Sequence, residues 1–132
     1  MTSPLRIASI AATLTLALST AAGAASVRLV SLATPTVATS VSCAAVPAAI
    51  TSAEPADLPT IAVEQNITGI TAVRIALDAS GRLTSSSVFA SSGNRWLDLA
   101  ALRAARLSRY SAESRDCAGV GGTYAFVVDF TK

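Results

Sequence analysis

The chain has 132 residues, is 52% hydrophobic and 14% charged, and carries a formal charge of +2. That length supplies one domain and no second sizeable core, and so small a basic excess with 5% aromatic residues argues against a nucleic-acid surface. With no His, the chain lacks the commonest general base, metal ligand and partner of a nucleophilic Ser or Cys. The only Lys is the last residue, Lys132, and the acidic residues Glu54, Asp57, Glu64, Asp78, Asp98, Glu113, Asp116 and Asp129 show no paired spacing. The expectation is a non-enzymatic chain with no catalytic residues, no metal and no cofactor.

Residues 1–24 have the build of a secretory signal. Arg6 gives a positive start, an apolar stretch runs from Ile7 to about Leu18, and Ala22-Gly23-Ala24 is a small-x-small cleavage site. The rival reading is an uncleaved membrane anchor, because no charge falls between Arg6 and Arg28. Ser19 to Ser26, however, is weakly apolar, and Leu and Ile drive insertion better than Ala, Gly and Ser. Both readings put the remainder outside the cytoplasm; the family resemblance set out below implies that this is the periplasm, and that an anchor would sit in the inner membrane. Cys43 and Cys117, an even pair in an exported chain, are expected to form a disulfide.

Residues 25–53, rich in Ala, Ser, Thr, Val and Pro, have no clear period and are expected to be an extended segment preceding a domain over 54–132. Pro59 or Thr60 opens a short helix ending near Asn66, before Gly69. From Ile70 the pattern turns to period two, with Val73, Ile75 and Leu77 on one face of a strand. Asp78-Ala79-Ser80-Gly81 is a turn, and Arg82 to Ala90 returns as the second hairpin strand. Leu83 and Val88 have opposite parity there, which calls for a bulge or a twist between them.

Ser91-Ser92-Gly93-Asn94 supplies capping residues for a helix from Trp96 to about Arg109. Leu97, Ala100, Ala101, Ala104 and Leu107 form its apolar face, and Arg103, Arg106 and Arg109 a solvated one. Ser111 to Gly122 is expected as a loop. A last strand follows from Thr123 to Phe130, with Tyr124, Phe126, Val128 and Phe130 packing on the helix. The sum is an α+β two-layer sandwich: a three-stranded antiparallel sheet with the helix on one face.

These residues resemble a family. Ile67 to Leu83, with its alternating Val73, Ile75 and Leu77 before Asp78 and Gly81, is similar to the first hairpin of the C-terminal domain of TonB-type energy transducers. Ser91-Ser92-Gly93-Asn94 with Leu97-Asp98-Leu99-Ala100-Ala101-Leu102 is similar to its next segment. Tyr124, Phe126, Val128 and Phe130 resemble its last strand. The resemblance spans roughly residues 55–131.

It implies a module that binds an extended protein segment, of an outer-membrane transport receptor, by adding it as a strand to a sheet edge. Carried onto this chain, that edge is Thr123, Tyr124, Ala125, Phe126, Val127, Val128 and Asp129, with Leu58 and Pro59 as further binding residues. Leu58 stands where the family often has Tyr, and Ser108 where it has Trp. Residues 25–53 replace a long proline-rich spacer and are too short to cross a periplasm at about 3.3 Å per residue. A second reading is a self-associating structural protein, in which the same edge pairs with itself in a homodimer.

Overall fold

The computed structural model describes residues 25–33 and 43–131; the signal or anchor segment expected at 1–24 lies outside them. The elements are β1 (Ser26–Ser31), β2 (Ala49–Ser52), α1 (Thr60–Glu64), β3 (Ile70–Leu77), β4 (Leu83–Ala90), α2 (Arg95–Leu107), β5 (Arg109–Ser111), β6 (Glu113–Arg115), β7 (Ala118–Val120) and β8 (Gly122–Asp129).

The main sheet has four strands in the order β1-β8-β3-β4, every neighbouring pair antiparallel. The three-stranded expectation is therefore corrected to four, while the α+β class stands. The expected three strands are β8-β3-β4. The fourth is β1, which lies in the stretch that showed no clear period. Its Val27 and Leu29 are half-buried and pack against the core, while Ser26, Arg28 and Val30 face solvent. Val27 and Leu29 alternate, but Val30 beside them breaks the period; that is a weak signal alone, and the strand gains its stability from the edge it lies on.

The core lies between this sheet and α2. Val73, Ile75 and Leu77 of β3 and Tyr124, Phe126 and Val128 of β8 are all buried on the face that meets Leu97, Ala100, Ala101, Ala104 and Ala105 of α2. The small alanines let the helix approach the sheet closely. Leu107, expected on this face, is 58% exposed, and Ala105 and Ser108 are buried instead. The helix stops at Leu107, so Arg109 belongs to β5 rather than to the arginine stripe. Arg106 is not merely solvated: its Nε donates to Ser86 Oγ of β4 at 2.9 Å.

The turn between β3 and β4 is built on Asp78. Its Oδ1 accepts from the N–H groups of Ser80 and Arg82, each at 2.9 Å, and Gly81 takes φ +86°. A Cβ at Gly81 would lie 2.8 Å from the Tyr110 carbonyl oxygen, so both conformation and space require Gly. The register of β4 shifts twice, opposite Ala76/Leu77 and opposite Ala72/Val73. The first shift falls within the expected stretch between Leu83 and Val88. The second re-aims Phe89 outward, where the Arg74 guanidinium sits 4.6 Å from its ring centroid.

The expected loop from Ser111 to Gly122 is ordered as part of β5's end and a two-stranded hairpin, β6–β7. Asp116 and Cys117 form its two-residue turn, both with positive φ (50° and 66°). Cys117 is bonded to Cys43, with Cα atoms 5.4 Å apart. From there the chain is held twice more. Val46 exchanges backbone hydrogen bonds with Ser114, both at 2.9 Å, and β2 pairs with β5.

Candidate binding edge

The expected edge strand, Thr123 to Asp129, lies inside the sheet, with β3 on one side and β1 on the other. The register along β1 runs Ser26↔Asp129, Val27↔Val128, Arg28↔Val127, Leu29↔Phe126, Val30↔Ala125 and Ser31↔Tyr124, without a bulge. Beyond it, the Leu32 N–H donates to the Thr123 carbonyl at 3.2 Å. Antiparallel ladders alternate bonded and non-bonded pairs. Parity from Leu32 and Thr123 therefore makes Val30–Ala125, Arg28–Val127 and Ser26–Asp129 the bonded pairs. The outward backbone groups of Thr123, Ala125, Val127 and Asp129 are the ones that β1 satisfies.

The side chains of this ladder divide by face. Val27 against Val128, and Leu29 against Phe126, continue rows that run on to Thr71 and Val73 of β3. These rows lie on the core side. On the other face, Arg28 opposes Val127 and Val30 opposes Ala125, next to Ala72 and Arg74. Along β8, β1 thus packs two aliphatic side chains spaced two apart, Val27 and Leu29, against the core side and leaves Ser26, Arg28 and Val30 to solvent.

One end of β8 carries charge. The Tyr124 hydroxyl donates to Glu113 at 3.3 Å, and Glu113 is paired with Arg115 at 2.6 Å. The bond from Arg115 holds the Glu113 carboxyl below its usual value. Burial first, and then the Glu113 charge, pushes the Tyr124 hydroxyl up. At the other end, Asp129 accepts from the backbone N–H of Thr131 at 2.9 Å.

Leu58 and Pro59 lie elsewhere. With Asp57 they line a groove against Trp96, Leu99, Ala100 and Arg103 of α2, and no residue of β8 belongs to it. Leu58 also packs against the core, and Pro59 is the cap residue of α1. The two parts of the site that the resemblance implies therefore sit on different elements. Residues that sequence reasoning missed are Val27 and Leu29, which fill the core side of the β8 edge; their alternation with Arg28 and Val30 was the available signal.

The remaining sheet edge is β4, with Val88 and Phe89 exposed. Among the described residues no helix is long and apolar enough to cross a membrane, and no three His, Cys, Asp or Glu side chains cluster together.

The comparisons with known proteins bear on the same span. A family model for the Gram-negative bacterial TonB protein C-terminal domain matches residues 54–131, more than half of the chain. Neither a curated protein nor a solved structure matches. The family is a non-enzymatic, periplasm-facing domain that interacts with outer-membrane receptors in TonB-dependent transport. The matched residues hold α1, β3, β4, α2 and β8, the strands and helices whose packing has just been described, and by this match the chain belongs to the TonB C-terminal domain family.

Proposed function

We propose that this domain binds an extended segment of an outer-membrane receptor by strand addition along Thr123 to Asp129, and that it does so as an exported periplasmic protein. One observation carries the reading. Within the family span, β8 is the outermost strand of β8-β3-β4, and a segment from outside that span, β1, is laid along it. An edge that takes a six-residue extended segment in cis has the backbone groups and apolar positions to take one in trans. Leu58 and Pro59, in the α2 groove, would contact flanking parts of a longer partner.

The test is photo-crosslinking with overlapping peptides from the periplasm-facing segments of outer-membrane receptors. Crosslinks are expected on Thr123 to Asp129. Crosslinks confined to other elements, or none at millimolar peptide, would remove the reading. Self-association is the second reading; since β1 covers the β8 edge on which it was expected, it moves to the β4 edge, which no described strand covers and where Val88 and Phe89 are exposed. It predicts protection of Leu83 to Ala90 that rises with protein concentration and ignores peptide.

A further inference from the structure

We infer that β1 is a built-in occupant of the β8 edge, a resident strand that an incoming segment must displace and whose pattern defines what that segment looks like. The inference rests on the reading of Thr123 to Asp129 as the binding edge. It adds the partner's pattern and the competition at that edge.

The argument starts from how β1 is held. Its described hydrogen-bonded neighbour in the sheet is β8 alone, and its other long edge is outermost. Only Val27 and Leu29 among its residues pack on the core, and both are half-buried rather than buried. The chain that follows is held independently of β1: Cys43 is bonded to Cys117, Val46 bridges to Ser114, and β2 pairs with β5. The β8–β3 ladder runs unbroken over eight residue pairs, so it does not need β1 for its register. Lifting β1 therefore exposes four strand positions of β8 and two apolar rows while leaving the rest of the domain assembled. Segments with few buried contacts at a sheet edge open locally, well below the cost of global unfolding.

The same geometry describes the partner. A segment that replaces β1 in the same ladder runs antiparallel to β8. It places aliphatic side chains at two positions spaced two apart, as Val27 and Leu29 do, against Val128 and Phe126. Its intervening residues, like Arg28 and Val30, face solvent and are unrestricted in charge. Since a tethered strand competes at high effective concentration, binding in trans is weakened by the fraction of time the edge is open.

The experiment uses the full chain and, as probe, a fluorescent peptide with the sequence of residues 25–33. Arg28→Pro combined with Val30→Pro removes two ladder donors of β1. Both side chains are exposed, so the core is left intact. The double variant is expected to bind the probe at least about tenfold more tightly than the unmodified chain does. Equal affinity would show that β1 does not compete, and no binding to either would show that the β8 edge takes no segment in trans; each result overturns the inference. Hydrogen exchange on the unmodified chain gives a second reading that needs no variant. Amides of Arg28 and Val30, the ladder donors of β1, are expected to exchange at least about tenfold faster than those of β3 and β8 facing each other, and equal protection would overturn the inference. Receptor peptides failing on the double variant, while the probe of residues 25–33 still binds it, would sink the receptor reading and leave the resident strand standing.

Discussion

Asp98, in the first turn of α2, ties three pieces of chain together. Its Oδ1 accepts from Thr71 Oγ1 of β3 and from both the N–H and the hydroxyl of Ser92, all at 2.9 Å, and its Oδ2 accepts from Ser91. Thr71 is fully buried, so Asp98 supplies the partner that its hydroxyl needs. Burial pushes the Asp98 carboxyl up, but the bonds from Ser91, Ser92 and Thr71 outweigh it and hold the carboxyl below the usual aspartate value. Asp98→Ala leaves the Thr71 hydroxyl unpaired and is expected to cost about 2–3 kcal/mol in urea unfolding, the range for a charged acceptor of several bonds. The pH dependence follows from the direction of the shift. A group with a lowered folded pKa contributes stability that is complete above its unfolded value, about 3.9, and is lost as pH falls through the folded value. Asp98→Asn should therefore be less stable than the unmodified chain at pH 6, with the gap narrowing toward pH 2. A gap that stays constant would mean that the carboxylate charge contributes nothing.

At the scale of elements, the legible parts were those whose pattern and packing agree. The period-two run Val73, Ile75, Leu77 and the alternating Tyr124, Phe126, Val128 read as strands and are buried as strands, and Phe130, expected in the last strand, is buried just past its end. Helix α2 was legible because an apolar stripe follows capping residues. Asn94 Oδ1 accepts from the Trp96 N–H at 2.9 Å, and the helix begins at Arg95. Asn94→Ala should lower stability by about 1 kcal/mol, and Asn94→Asp should be nearly neutral. Thermal unfolding of the two variants side by side would decide it; equal losses would mean that the cap side chain is not what starts the helix. The elements that escaped reading are those whose stability is tertiary. Strand β1 sets two apolar residues, Val27 and Leu29, against the core and depends on the β8 edge, β2 has Ile50 alone against the core, and β6–β7 turns on Asp116-Cys117 without the Asn-Gly or Asp-Gly that usually marks such a turn. The edge expected at Thr123 to Asp129 shared that fate: its strand was legible, and β1, the neighbour laid on it, was not.

For the whole molecule, the disulfide decides how much of the N-terminal half belongs to the fold. Cys43 and Cys117 are separated by 74 residues, a loop that spans β2, α1, β3, β4, α2, β5 and β6. In the chain-entropy account, closing a loop of that size stabilises by about 4–5 kcal/mol, mostly by restricting the unfolded chain. The bond has a second, local consequence. Cys117 sits at φ 66°, in the left-handed region, where a residue with a Cβ costs about 1 kcal/mol relative to Gly. The bridge is positioned to hold that strained turn. The two effects separate in a pair of double variants, each compared with the oxidised chain by urea unfolding. Cys43→Ser with Cys117→Ser should lose roughly 4 kcal/mol and keep the left-handed cost. Cys43→Ser with Cys117→Gly should lose about 1 kcal/mol less, because Gly takes that conformation freely. If the Gly variant is no better than the Ser variant, the turn relaxes once the bridge is gone, and the left-handed Cys117 is a product of the disulfide. If it recovers the expected amount, the turn is set by β6–β7 pairing, and the disulfide joins two parts already shaped to meet.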